Sequence, residues 1–320
     1  MKRIQYLDQM KGVAIIFVVI GHIFLFTPGA SSTQVDTMLS IFHMPVFFFI
    51  SGFLAYKVLP DMKSVVKRMW QKGHALLFPY IVFAGLYCLY SGKDYVKLLM
   101  RGGAEYWFLW TLFILSVFFI LYEQLVGKIR NAYIYVGAGL LPYALLIVVQ
   151  HRYGEVGGGI LSINQLVAYY RIYLVGYLCR KYVRLNDFLF ENKYVYAVSG
   201  IAFFARWFWA GSVNMLISFA GIMGAIIILR SLFVDHAEND SKAMRVLAYL
   251  GQKSLNIYVL QYFFLANISF LTPYVSNEYG FIWNFMMAVI FAIPITAASL
   301  FVGAIIERNE LLRWLMVGKK

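Results

Sequence analysis

The chain has 320 residues, 62% of them apolar and only 13% charged, with a mean hydropathy of +0.71. A soluble domain carries about twice that share of charge, so the composition excludes an ordinary soluble enzyme and calls for a bundle of helices in lipid. The formal charge of +13 sits in short gaps between apolar runs. That placement reads as membrane topology and not as a nucleic-acid footprint. Cys88 and Cys179 both lie within apolar runs and read as small buried hydrophobes, with no disulfide or metal framework implied.

Lys2 and Arg3 precede the first apolar run, as in a signal peptide. Lys11 and His22 bracket that run, however, and polar residues are uncommon in a signal core, so the run reads as a retained first span. A span needs about 20 mostly apolar residues. Ten candidates follow in chain order, at 10–28, 38–57, 74–91, 107–126, 131–150, 164–182, 193–210, 213–230, 254–271 and 281–305. Ala210-Gly211-Ser212 alone separates the seventh from the eighth, and a re-entrant segment is the rival there. The expected fold is all-α: a polytopic membrane helical bundle of about ten transmembrane helices, forming a single domain over residues 1–320.

Alternating these spans from a cytoplasmic N-terminus places about 22 of the 28 basic residues on the inner side. Lys93, Lys97, Arg101, Arg152 and Arg206 fall outside, and Arg171 falls within a span. The positive-inside rule predicts this asymmetry, with both termini cytoplasmic and the protein multi-pass in the cell (inner) membrane. Lys93 to Tyr106 reads as a short interfacial amphipathic helix on the outer side. Asp235 to Lys253 reads as the longest cytoplasmic loop.

Ionisable groups at membrane depth are costly and mark functional sites. Lys11 and His22 share one face of the first span, about 16 Å apart along the axis. Lys11 then sits near the cytoplasmic edge and His22 in the outer half. Gly12 and Gly21 beside them permit close helix approach. His43 opens the second span about a turn from the outer surface, where Pro45 can kink the helix. A short loop joins the first two spans, so His22 and His43 can share a cavity.

Leu7 to His22 (LDQMKGVAIIFVVIGH) resembles the opening motif of the acyltransferase 3 family of membrane O-acyltransferases. Phe42 to Leu54 (FHMPVFFFISGFL) resembles its second-span signature. Tyr106-Trp107-Phe108-Leu109 is similar to its WFL element, and Leu250 to Tyr258 (LGQKSLNIY) to its late G-x-x-S-L-x-I-Y element. The resemblance covers about 7 to 305. It departs at Lys11, where the family usually has arginine; lysine keeps the charge but loses the bidentate fork for phosphate.

The resemblance implies transfer of an acyl group, usually acetyl, from cytoplasmic acetyl-CoA to a hydroxyl of an extracytoplasmic or lipid-linked glycan. The lipid bilayer and the glycan acceptor are then the partners, with neither nucleic acid nor metal expected. A hydroxyl needs a base, and histidine suits that role at neutral pH. His22 is accordingly the general base, or else a nucleophile forming an acyl-imidazole. Lys11 binds the coenzyme A end, and His43 orients the acceptor or acts as a second acid/base. Glu105 and Trp107, at the outer edge of the fourth span, are candidate acceptor contacts, with interfacial anchoring the alternative for Trp107. Arg171, in the sixth span, is expected to meet a cavity or a carboxylate. Ser254, Asn256, Tyr258 and Gln261 are candidate oxyanion donors or helix-packing groups. A transporter or flippase of a polysaccharide or lipid-linked sugar is the alternative function, although no internal pseudo-symmetry of the kind transporters often show is visible.

Overall fold

The computed structural model describes residues 4–30, 33–92, 94–96, 104–153, 162–208, 215–234, 241–265 and 268–317. Every regular element among them is helical. In chain order these are α1 (Gln5–Phe26), α2 (Gln34–Ser40), α3 (His43–Ala55), α4 (Met62–Lys72), α5 (Phe78–Ser91), α6 (Trp107–Val126) and α7 (Ala132–Tyr153). They continue with α8 (Ile163–Lys181), α9 (Val183–Glu191), α10 (Lys193–Phe208), α11 (Met215–Val234) and α12 (Lys242–Gln252). The last are α13 (Ser254–Leu265), α14 (Phe281–Arg308) and α15 (Glu310–Val317).

Seven segments among the described residues are long and apolar enough to cross a membrane: α1, α2–α3, α4–α5, α6, α7, α11 and α14. A helical membrane bundle is therefore the fold. The other three expected spans correspond to α8, α10 and α13. The last two have only 16 and 12 residues, about 24 and 18 Å of helix.

The second expected span is two helices. The chain turns at Ile41-Phe42, two residues before His43, and Pro45 then lies in the first turn of α3, where a missing N–H costs nothing. The expected kink at Pro45 is thus a break upstream of it. The third is a continuous 30-residue segment from Met62 to Ser91. It passes through one π turn, Gly73–Leu77, just before Pro79. Most of the interfacial helix expected over 93–106 lies outside the described residues. Within the expected loop over 235–253, residues 235–240 are not described, but the rest is α12. Ser241 caps that helix by accepting from the Met244 N–H.

The chain divides into two compact units, Met1–Phe47 with Arg184–Ile305, and Phe48–Val183 with Ile306–Lys320. In the first unit α1 is the central helix: Met10, Ala14, Val19, Ile20, Ile23 and Phe24 are wholly buried. A helix apolar on all sides must be enclosed by others. It packs on α12, α13 and α11. Backbones touch where α1 meets α12, because a Cβ on Gly12 would overlap the Leu247 carbonyl and one on Gly251 would overlap that of Asp8. Small residues at such crossings let dispersion and close packing hold helices that share the same solvent. α10 and α11 form an antiparallel pair in the same way, Gly224 against the Ser199 backbone and Gly221 against Arg206. The separation of the seventh and eighth expected segments is thus a helix hairpin.

In the second unit α3 crosses α8 at Gly52 and Gly176, which face the backbones of Tyr173 and Phe49. Glu123, near the end of α6, lies at the middle of a buried polar knot. Its carboxylate accepts from Lys181 Nζ at 3.0 and 3.2 Å, from Tyr135 Oη at 2.5 Å and from Tyr177 Oη at 2.7 Å. The Lys181 ammonium also lies 3.7 Å from the Tyr135 ring centroid. The outer face of α7 is apolar and exposed, with Tyr133 90%, Leu141 70% and Leu145 64% accessible. Such a surface is stable against lipid and not against water.

Candidate active site

His22 and His43 both lie in the first unit. α1 runs unbroken past both Lys11 and His22, so the spacing expected from sequence holds at about 16 Å. His22 lies one turn before the end of α1. Its ring centroid is 5.0 Å from that of Tyr262 on α13 and 6.4 Å from that of Phe26. Tyr262 Oη is 3.4 Å from His22 Nε2. Gln261, the preceding residue on α13, is completely buried. Its amide nitrogen donates to the Tyr258 carbonyl at 3.2 Å, which leaves Oε1 as an acceptor. Gln261 Oε1 and His22 Nδ1 are both buried without a hydrogen bond among the described residues.

His43 opens α3 and its Nδ1 lies 2.5 Å from the Leu39 carbonyl. A carbonyl accepts only, so Nδ1 carries the proton and the lone pair of neutral His43 is on Nε2. A Cβ on Gly21 would stand 3.9 Å from His43 Cε1, ordinary contact distance. The second imidazole thus lies against α1 at Gly21, one residue before the first. The break at Ile41-Phe42 makes this approach local: across the turn the Leu39 carbonyl accepts from the Phe42 N–H at 3.2 Å and from His43 Nδ1.

At His22 the Tyr262 hydroxyl meets Nε2, while Nδ1 and Gln261 Oε1 remain without a bond among the described residues. A hydroxyl that donates to Nε2 pairs with the tautomer whose basic nitrogen is Nε2. Tyr262 was not among the residues singled out in the sequence. The available signal was its position four residues after Tyr258, on the same face of α13; the two rings meet edge to face at 5.8 Å.

Lys11 is held by Asp8 one turn earlier, Nζ to Oδ1 at 3.4 Å, with Asp8 almost fully buried. Asp8 is therefore a second residue missed in the sequence reading, although an i, i+3 acid–base pair is legible there. On α13, Ser254 is half-buried at the first residue and Tyr258 is buried. Asn256 packs against Gly303 of α14, whose absent Cβ would stand 2.8 Å from its Nδ2. That face is turned away from the one bearing Tyr258 and Tyr262, since a two-residue step rotates about 200°.

Glu105, Trp107 and Arg171 belong to the second unit. Trp107 stacks on Tyr169, centroids 5.3 Å apart, and Tyr169 on Phe48 at 4.3 Å. Glu105 lies beside Tyr87, with Oε2 buried. Arg171 sits 5.5 Å from the Tyr143 ring centroid, an aromatic neighbour. The same unit holds a cavity of about 560 Å³ lined by Lys57, Lys67, Arg68 and Lys72 together with Ser64 and Gln71, and by no carboxylate. Arg68 is anchored there by donating to the Ala55 carbonyl at 2.7 Å. In the sequence these cations counted only toward topology. Along α4 the signal for a common face was Lys72 one turn after the pair Lys67-Arg68. Such a cavity suits a polyanion. No group of three or more His, Cys, Asp or Glu that could hold a metal occurs among the described residues.

Two comparisons with known proteins bear on this arrangement. The chain is 23% identical over 338 residues to the nodulation protein NolL of Mesorhizobium japonicum, covering 94% of this chain and 85% of NolL. No solved structure matches. The sequence model of the acyltransferase 3 family, described as an acyltransferase domain, matches residues 4–306 and so takes in α1 with its histidine, the His43 break and α13. By that match over nearly the whole length, the chain belongs to the acyltransferase 3 family and is a membrane acyltransferase.

Proposed function

We propose that the protein moves an acetyl group from cytoplasmic acetyl-CoA to a hydroxyl of an extracytoplasmic or lipid-linked glycan, with residues 1–320 acting as one transmembrane domain. The observation that carries this reading is the grouping of His22, His43, Gln261 and Tyr262, all residues of the first unit. Buried polar side chains with spare lone pairs have little packing value in a membrane bundle and suit proton transfer.

His22 Nε2 takes the proton of the acceptor hydroxyl as the oxygen attacks the thioester carbonyl. The tetrahedral intermediate collapses, the C–S bond breaks, and the proton on His22 passes to the departing thiolate. The products are an O-acetyl ester and free coenzyme A. The proton of neutral His22 rests on Nδ1, and the Tyr262 hydroxyl occupies Nε2 until the acceptor displaces it. His43, with its lone pair on Nε2, orients the acceptor hydroxyl. Lys11, set by Asp8, supplies positive charge for the phosphates of the donor. The surplus of basic residues in alternate loops supports a cytoplasmic position for both termini in the inner membrane.

The test uses membrane vesicles containing the full chain, given acetyl-CoA labelled in the acetyl group. Label entering a glycan fraction only when the protein is present is the expected result. His22→Ala lowers the rate by about 10²–10⁴-fold, the usual contribution of a general base. Full activity in His22→Ala removes His22 from the chemistry. Solute uptake without acetylation replaces the transferase by a transporter.

A further inference from the structure

α9 ends at Glu191 and α10 begins at Lys193, so the chain reverses between two helices with Asn192 as the joint. The Asn192 side-chain oxygen accepts from the Tyr194 N–H at 2.9 Å, and its carbonyl accepts from Tyr196 N–H at 3.0 Å. This caps α10 and leaves the positive end of its dipole at the joint. Facing it is the last turn of α11. Between them is a cavity of about 640 Å³, separate in sequence and side chains from every residue assigned above.

Arg230 lines this cavity and is only 9% exposed. Its guanidinium lies 4.0 Å from the Phe190 ring centroid and 5.5 Å from that of Tyr6. Those rings offer the faces of the cation an attractive surface. They accept none of its five N–H donors. Among the described residues Arg230 makes no ion pair and no hydrogen bond. A buried guanidinium with its edge unsatisfied calls for an anion. Lys193 stands exposed at the rim, and the Ser231 hydroxyl is a further lining donor. Glu191 is the one carboxylate in the lining; it is exposed and pairs with neither cation.

The walls continue into apolar surface. Leu232 on α11 is 52% exposed, and Val198 and Ile201 on α10 are 64% and 71% exposed. The cations therefore sit where two lipid-facing helices end in polar chain, the level of lipid headgroups. Planar, bidentate donors match a phosphate better than a point charge does.

We propose that this cavity binds a phosphate group, with Arg230 as its bidentate donor and Lys193 as its rim cation, and that the phosphate belongs to a lipid headgroup. The site is independent of the acyl-transfer reading: it lies outside the residues given catalytic or donor-binding roles, and its test measures binding.

The test is native mass spectrometry of the full-length protein in detergent, titrated with phosphatidylglycerol and, as a phosphate-free comparator, diacylglycerol. The wild type retains one phosphatidylglycerol more tightly than the rest, and no diacylglycerol. R230Q weakens that step about tenfold or more, the scale of a lost charged hydrogen bond. R230K, which keeps the charge without the fork, and K193Q weaken it by about threefold. Inorganic phosphate at millimolar concentration distinguishes the sources: failure to displace the lipid supports the headgroup, and displacement assigns the site to free phosphate instead. Wild-type retention in folded R230Q, or equal binding of diacylglycerol, overturns the proposal. If R230Q fails to fold, wild-type retention in both R230K and K193Q overturns it equally, since Lys193 is exposed and packs on nothing that the fold needs.

Discussion

Tyr262→Phe tests the link between α13 and the His22 imidazole. The substitution deletes one oxygen and leaves the ring, so the contacts at 5.0 Å to His22 and 6.0 Å to Phe26 survive. What is lost is a hydrogen bond of 3.4 Å, long for a hydroxyl donor. A neutral bond contributes about 0.5–1.5 kcal/mol net, which is about two- to tenfold in rate. That is far below the 10²–10⁴-fold expected for the base itself. The assay is labelled acetyl transfer in vesicles at matched protein levels, with the fall expected in kcat. A rate within experimental error of wild type shows that Tyr262 does not set the imidazole. A loss as large as that of His22→Ala shows that Tyr262 is itself a reacting group. Either result refutes the tautomer argument, and Gln261→Leu, which removes the other buried polar side chain of that turn of α13, checks it from the other side.

In the second unit, Glu123→Gln leaves the Lys181 ammonium, 10% exposed, without its counter-charge and costs about 3–5 kcal/mol of stability. Adding Lys181→Met recovers part of that loss in thermal unfolding; strictly additive effects would show that the pair is uncoupled. Gly251→Leu forces a side chain into the Asp8 backbone and is expected to abolish the folded monodisperse peak on size exclusion, whereas Gly137→Leu, where a Cβ meets nothing within 4 Å, elutes as wild type. Asp61 caps α4 by accepting from the Ser64 N–H at 2.7 Å, and that bond holds its carboxyl below the ordinary carboxylate pKa. Its depressed folded pKa means the stabilisation is present above the unfolded pKa and is lost as pH falls through the folded one. Asp61→Ala therefore lowers the melting temperature at neutral pH, and the gap to wild type closes on acidification. A gap that persists at low pH would assign the effect to something other than the charged cap.

Much of the fold was legible because membrane insertion depends on local composition. The fourth span was expected at 107–126 and α6 occupies Trp107–Val126; a run of twenty apolar residues has no alternative that satisfies its backbone in lipid. Lys11 and His22 were legible as a pair because helical spacing is a property of the chain alone. The amphipathic α12 was not read, since its few inward residues (Met244, Leu247, Ala248 and Gly251) are too short a stripe to outweigh the charges around them. Nor was the break before His43, where the turn at Ile41-Phe42 offers no Gly or Pro of its own.

The partners of the histidine lay beyond any local pattern. Tyr262 and His22 are 240 residues apart, and which face of α13 meets α1 depends on where Gly12 and Gly251 let the helices of that unit close. The same holds for Glu123 with Lys181, 58 residues on, and for Arg230, whose position read as a loop charge until its rings and cavity were seen. The sequence determined that helices form in lipid and that a histidine sits within the first. Only tertiary packing decided which groups face it, because hydrogen bonds between helices depend on close approach and not on composition.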